Sequence, residues 1–403
     1  MKTLRAFGGF HLTCTLLVVL ACASGVLCTI GRAWGAGGDL LWQVATGGAL
    51  AASHGRVVVA GSAGVQTFDG DTGSFLWQDS FVGATRVAMD AQQVIAVGAN
   101  AIRAYDSRNG AMDWQGPLAS GTVVRAVVLQ GNQFLITGFT MGPTGEAQML
   151  VRAYNARTGE IEWEDQSVPV GRSLATIITP TQKAISVHGN RAYVVSTLNP
   201  RGPAVCLVRA YDRERGQLVW ESVSQEPCFA KAVAAHGKQV ILAAIGGVAV
   251  DDFLVRSYDA ETGELLWRDR TFIGTGFDNE AVAVDDEGER AFVAGWVRWI
   301  PGRFNQEAFL VRAYNMQTGE LYWEDQYPGS IGPCLCHARD IVAKRGRVFA
   351  VGLMPFIVRA YDALNGSLLW QNELSTGRAE SVALDRGVVF AADSGVLRAY
   401  DAE

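Results

Sequence analysis

The sequence predicts an all-β fold: an eight-bladed β-propeller of four-stranded antiparallel blades. Three observations carry the prediction. The stretch Val151–Trp163, Val-Arg-Ala-Tyr-Asn-Ala-Arg-Thr-Gly-Glu-Ile-Glu-Trp, recurs along the chain. Its complete copies begin at Val65, Ile102, Val151, Val208, Val255, Val311 and Val358. An eighth copy is split, with Leu397-Arg-Ala-Tyr-Asp-Ala-Glu403 holding the first half and Gly38-Asp-Leu-Leu-Trp42 the second. Self-similarity at periods of about 40–50 residues indicates a solenoid or a propeller. A solenoid needs two caps, whereas a ring needs its ends to meet. The split copy lets residues 39–44 complete the blade that begins at Glu380, and closure leaves only short protected edges.

Within each copy the elements follow in order. The Val-Arg-Ala-Tyr segment alternates with a period of two, as a strand does. Asp-x-x-Thr-Gly reads as a tight turn in which Asp bonds backbone amides and Gly supplies a positive φ. The tryptophan then falls on the outer strand: Trp42, Trp77, Trp114, Trp163, Trp220, Trp267, Trp323 and Trp370. Each is expected to pack on the neighbouring blade, and losing one costs about 3–5 kcal/mol. Two apolar strands precede each copy, joined by short turns such as His54-Gly55, His188-Gly189, His236-Gly237 and Arg345-Gly346.

The chain of 403 residues therefore divides into a leader (1–30), a short linker (31–37) and one propeller domain (38–403). The leader has Lys2 and Arg5 at its start and an apolar centre at Leu12–Leu20, the pattern of a targeting segment. Three outcomes stay open: lipidation at Cys22 after Val19-Leu-Ala, cleavage at Ala21-Cys-Ala23, or retention as a membrane anchor. All three export the propeller and tether or release it in the periplasm or at the outer membrane or cell surface, with membrane contact only through this segment. A net charge of −6, from 34 basic and 40 acidic residues, argues against nucleic acid as a partner. The propeller is expected to be a monomer.

Four cysteines lie outside the leader: Cys206, Cys228, Cys334 and Cys336. They allow three pairings. Cys206 begins a strand and Cys228 follows one turnaround later at the same end of the ring, which favours a Cys206–Cys228 bond; alternatively Cys206 is a core residue, as Phe253 and Phe309 occupy the same repeat position. No stretch has a metal-ligand spacing, and Cys334-Leu-Cys336-His337 lacks the two-residue gap of haem attachment.

Intervals between successive tryptophans are 35 and 37 residues at first and 47–57 later. The turn within the motif keeps its length, so the added residues fall in the loops between second and third strands and between blades. Both loop classes emerge at one end, so blades 3 to 7 carry one elaborated face, the usual place for function on a rigid scaffold. Aligning the inner strands places Gly48, Arg86, Arg125, Lys183, Lys231, Glu280, Arg339 and Glu380 around the axial mouth. Arg86, Arg125, Lys183, Lys231 and Arg339 are cationic, which would focus a small anionic ligand or partner there. The alternative is that they pair with nearby acids. Trp296, Trp299, Arg303 and Phe304 form an aromatic and cationic cluster of the kind that anchors partners, or alternatively one that folds back over the blade. The arginine recurring at 103, 152, 209, 256, 312, 359 and 398 is expected to pair with acids such as Glu164, Asp165, Glu324 and Asp325, as exposed pairs of small worth. No hydrolase elbow, phosphate loop or zinc-protease motif is present, and His337 is the one histidine placed as a candidate base.

The pattern Ala-x-Asp-x-x-Thr-Gly-x-x-x-Trp, as in Ala210–Trp220 and Ala360–Trp370, resembles the tryptophan-docking motif of pyrroloquinoline-quinone (PQQ) repeat propellers. The resemblance covers nearly all of residues 38–403 and implies the fold. One branch of that family holds dehydrogenases with PQQ and calcium on the axis; there the axial cations would hold the cofactor and Asp278 or Asp340 would serve as base. Their vicinal cysteine pair and long insertions are missing here. Another branch includes an exported lipoprotein of the outer-membrane barrel-assembly machinery, similar in length, blade number and leader. The expected function is that of a non-enzymatic exported scaffold, without a cofactor, that binds a protein or ligand through the elaborated face. The alternative is a PQQ- and calcium-dependent dehydrogenase.

Overall fold

The computed structural model describes residues 20–21, 27–28 and 37–403, apart from 142–146, 168–175, 179–182, 200–202, 248–251, 272–276, 286, 298–306, 329–335 and 354–355. Cys22, Trp299, Arg303, Phe304 and Cys334 lie outside these residues. The described residues form strands and no helix. Leu20–Ala21 and Leu27–Cys28 pair as a two-stranded ribbon, which leaves the three fates of the leader undecided.

The remaining strands make six sheets of four strands and one of eight. The eight-stranded sheet is two blades joined by one long strand, Leu218–His236, whose first part is the outer strand of blade 4 and whose second part is the inner strand of blade 5. Blade 1 spans 49–79, blade 2 spans 86–117, blade 3 spans 123–167, blade 6 spans 277–327 and blade 7 spans 337–374. Blade 8 takes Ser381–Asp385, Val388–Ala392 and Leu397–Asp401, and then Leu40–Val44 from the other end of the chain. Contacts between innermost strands run from each blade to the next and return from blade 8 to blade 1.

Second and third strands are buried along their length; Gln93–Val97 and Val205–Asp212 are buried at every position. Each blade is covered on both faces by its neighbours, so the period-two pattern alternates residue type and not exposure. One face carries the apolar and small residues. The other carries Arg and Tyr, which reach an acid on the preceding blade. Tyr211 donates to Asp165 at 2.6 Å, Tyr314 to Asp269 at 2.8 Å and Tyr361 to Asp325 at 2.9 Å. Arg209, Arg312 and Arg359 pair with the same three carboxylates at 3.2, 3.3 and 3.2 Å. Burial pushes these tyrosine hydroxyls well above their ordinary range, so they remain donors. The arginine side chains are about 4% exposed, against the expectation of surface pairs: Asp and Arg meet inside the seam, where neither can be removed cheaply.

The tryptophans bind blade to blade. Trp42, Trp77, Trp114, Trp163, Trp220, Trp267 and Trp323 each donate Nε1–H to a carbonyl in the next blade's Asp-x-x-Thr-Gly turn, at 2.7–3.1 Å. The glycine of that turn lies flat against the ring. A Cβ at Gly263 (φ +74°) would stand 2.6 Å from the ring of Trp220. The split copy reproduces this without a covalent link. Gly38 sits under Trp370 and its N–H donates to Asp401 at 2.9 Å, as Gly73 donates to Asp69 at 2.9 Å. One detail differs: the Ala402 carbonyl is taken by Arg347, and the Trp370 N–H has no partner among the described residues.

Candidate functional site

The inner strands reach the axis through a repeated irregularity. Strand pairing shifts register at Val124/Ala126, Ala230/Ala232, Asn279/Ala281 and Ala338/Asp340. The extra residues are Arg125, Lys231, Glu280 and Arg339, four of the positions that the sequence alignment puts around the mouth. A bulge adds one residue on one strand and re-aims its side chain, a common device beside functional sites. In blade 4, Thr176–Ile178 and Ile185–His188 both pair with Arg191–Asn199, and Lys183 lies just before the second segment.

The inner strands surround an axial cavity of about 410 Å³. Arg86, Lys183, Glu280, Arg339 and Glu380 line it, joined by Asp340, Ser381 and an apolar floor that includes Leu50, Val87 and Val127. Arg125 and Lys231 are not among its lining residues. Arg125 lies over the Phe139 ring at 5.7 Å, and its carbonyl accepts a hydrogen bond from Arg86.

Four of the cavity's charged side chains form two ion pairs with one another. Lys183 reaches across the axis from blade 4 to Asp340 of blade 7, at 2.6 Å, and also donates to the Ile341 carbonyl. Arg339 pairs with the buried Glu280 at 2.6 Å. Asp340 also accepts from the Ile341 and Val382 amides, both at 2.9 Å, which ties blade 7 to blade 8. Arg86 donates to the Arg125 and Thr85 carbonyls at 2.5 Å and has no carboxylate partner among the described residues. Its burial, then the neighbouring Arg125, lower its pKa from the ordinary value.

The quinone-enzyme resemblance would need these cations free to hold the cofactor and Asp278 or Asp340 free as a base. Two of the cations are held by acids of the chain itself. Both oxygens of Asp340 are engaged by backbone amides and Lys183, which leaves it poorly placed as a base. Among the described residues no group of three His, Cys, Asp or Glu could hold a metal ion. The side chain of Asp278 lies outside the description.

His337 begins the inner strand of blade 7 on the elaborated side. Its ring stacks on Trp296 at 4.4 Å with 9° between the planes, and Nε2 meets Glu307 at 2.5 Å. Burial lowers its pKa below the ordinary 6.5, outweighing the pull of Glu307 in the other direction. Trp296 of blade 6 thus packs against the inner strand of blade 7. Glu307 is absent from the sequence reading, since thirty residues and a loop separate it from its partner. Cys206 and Cys228 form a disulfide with Cα atoms 5.5 Å apart, at the point where the long strand crosses from blade 4 to blade 5. Cys336 is buried and also disulfide-bonded.

Three solved structures show the same fold at low identity. A computationally designed protein, Ika8, aligns over 91% of this chain and all of its own, with a TM-score of 0.63 at 15% identity. BamB from Moraxella catarrhalis aligns over 90% of this chain and 99% of its own, with a TM-score of 0.60 at 14% identity. A europium-containing methanol dehydrogenase aligns over 90% of this chain and 93% of its own, with a TM-score of 0.61 at 13% identity. No curated protein matches the sequence. The family described as outer membrane protein assembly factor BamB matches residues 29–199, 147–352 and 204–403 in overlapping segments. The match runs through every blade and both halves of the split repeat, and the chain belongs to that family.

Proposed function

We propose that this protein is a non-enzymatic propeller of the cell envelope that binds a partner protein through the loop-bearing rim of blades 3 to 7. The observation that carries the reading is the internal pairing of the axial charges, Lys183 with Asp340 and Arg339 with Glu280. An axial enzyme needs cations free for an anionic ligand and a carboxylate free to take a proton; here Lys183 and Arg339 are held by Asp340 and Glu280, and of the lining cations Arg86 alone has no carboxylate partner among the described residues. Membership of a family described as an assembly factor supports the same reading. The targeting pattern of the leader supports export.

Two measurements test it. Thermal unfolding of the leaderless protein with PQQ and calcium is expected to be unchanged. A ligand at 100 times its dissociation constant would stabilise by about 2.7 kcal/mol, so a saturable rise that needs both components would replace this reading with the dehydrogenase one. Photo-crosslinking in the intact envelope, from residues of the elaborated rim, is expected to yield a discrete protein adduct. Label placed on the short-turn side, at His54 or His236, is expected to yield none; equal labelling from both sides would overturn the assignment of the face.

A further inference from the structure

The arginine of the third strand has a fixed cross-strand neighbour on the fourth. Arg152 faces Glu164, Arg209 faces Glu221 and Arg312 faces Glu324. Arg103, Arg359 and Arg398 face Gln115, Gln371 and Gln43. Blade 5 breaks the rule, because Arg256 faces Arg268. Its second expected partner is missing too. The position that supplies Asp165, Asp269 and Asp325 to the other seams is Ser222 in blade 4.

Arg256 is nevertheless buried, with its side chain 5% exposed, and its Nε has no hydrogen-bond partner. Among the described residues, the one carboxylate that the Arg256 guanidinium reaches is Glu226, at 3.4 Å, beside a bond to the Tyr258 hydroxyl. That same carboxylate is bonded by Arg268 and lies 3.9 Å from Arg270, which is held in turn by Asp252 at 2.5 Å. The Arg268 hydrogen bond, with Arg256 and Arg270 adding to it, holds the Glu226 carboxyl below its ordinary range. One carboxylate therefore serves three guanidiniums, while Arg268 and Arg270 remain 51% and 43% exposed. No other fourth strand carries Lys or Arg in its outer segment. Like charges placed directly opposite each other destabilise a sheet. A position that breaks the local rule of its own repeat, with no gain inside the fold, is where function is expected.

The surroundings indicate what completes the cluster. Leu265–Thr271 is the outermost strand of blade 5, with one backbone edge unpaired. It runs from the Gly263 turn towards the elaborated rim and exposes Leu265 and Leu266 beside the two arginines. An extended acidic chain can use the edge, the leucines and the cations together. A phosphate or a lipid headgroup would use the cations alone.

We propose that the outer edge of blade 5 docks an extended acidic segment of a partner protein, one carboxylate of which bridges Arg268 and Arg270 and leaves Glu226 to Arg256. This inference rests on the reading of the propeller as a protein-binding platform and names the point of contact.

The test uses the leaderless protein and a fluorescent peptide of alternating valine and glutamate, with a valine–lysine peptide as control. The acidic peptide is expected to bind with a salt-dependent affinity, and Arg268→Glu or Arg270→Glu to weaken it at least about tenfold. Arg108→Glu, on the short-turn side, is expected to leave binding unchanged. Arg268→Glu is also expected to raise the thermal midpoint, since it restores the Arg–Glu neighbours of blades 3, 4 and 6. Equal binding of the lysine peptide, equally strong competition by inorganic polyphosphate, or unchanged affinity in both variants would each overturn the proposal. So would a lowered midpoint for Arg268→Glu, which would make the residue structural. A concentration-dependent dimer abolished by Arg268→Glu would make a second copy the occupant and overturn the acidic partner. If no peptide binds at all, this contact is lost while rim crosslinking still decides the broader reading.

Discussion

At the scale of the residue, the glycine of each docking turn answers to two constraints at once. Gly263 has a positive φ and lies against the face of a tryptophan ring; Gly237, in a short inner turn, has φ +56° and nothing within 4 Å of where a Cβ would stand. Substituting alanine at both separates the two constraints. Gly237→Ala is expected to cost about 1 kcal/mol, from φ alone, and Gly263→Ala about 2 kcal/mol or more, because Trp220 must move as well. Urea unfolding of the pair measures the difference, and equal losses would mean that the ring contact contributes nothing. His337 makes a second residue-scale prediction. Its folded pKa lies below the ordinary 6.5, so its contribution to stability is in place above that value and is lost as the pH falls through the lower folded value. The unfolded chain binds more protons in that window, so stability rises with pH there. His337→Gln is expected to flatten the dependence of the unfolding midpoint between about pH 5 and 7. A profile as steep as the native one would assign the slope to other groups.

At the scale of the element, what the sequence reveals depends on whether a position obeys the repeat. The docking turn is legible because Asp, Gly and Trp recur at one spacing and each does one local thing. The ring of residues at the mouth is legible as an alignment, and its bulges are not: an extra residue in an inner strand is visible only against its partner's register. Nor does spacing reveal that Lys183 would cross the axis to Asp340, since a pair three blades apart in the chain leaves no local trace. The arginine ladder has the reverse lesson. The partners Glu164, Asp165, Glu324 and Asp325 were readable as neighbours, while their burial was not, because it depends on both faces of a blade being covered. Asp340 shows what such inner pairs do. It holds Lys183 and caps the Val382 amide of the next blade. Asp340→Asn keeps the shape and removes the charge, leaving a half-buried lysine without its counterion. A loss of about 2 kcal/mol or more is expected in denaturant unfolding. A loss below about 0.5 kcal/mol would show that the axial pairs are solvated and return these cations to the list of ligand contacts.

At the scale of the whole molecule, closure is the property most directly written in the chain, because one copy of the repeat is cut in two. The cut falls inside the docking turn, between Glu403 and Gly38, so closure uses the same parts as every other seam: the bulge at Leu40/Trp42, the Gly38 amide on Asp401, and a tryptophan on each side. Trp42 is buried, packs tilted against Phe390 with ring centroids 5.8 Å apart, and donates to the Gly70 carbonyl of blade 1 at 3.0 Å. Deleting residues 1–44 removes that tryptophan, the glycine beneath Trp370 and the fourth strand of blade 8. The loss should be at least the 3–5 kcal/mol of one buried tryptophan, with the edge of Leu397–Asp401 opened to solvent. Closure is non-covalent, so it should be restorable in trans. A synthetic peptide of residues 37–47 added to the deletion protein is expected to raise its thermal midpoint in a saturable way, worth about 2.7 kcal/mol at 100 times the dissociation constant. The same peptide with Trp42→Ala should fail, because the strand would pair without docking onto blade 1. Rescue by the alanine peptide would mean that the backbone ladder alone closes the ring. Absence of rescue by the native peptide, in a deletion protein that remains folded, would mean that seven blades and three strands are already a stable ring and that the split repeat is not its clasp.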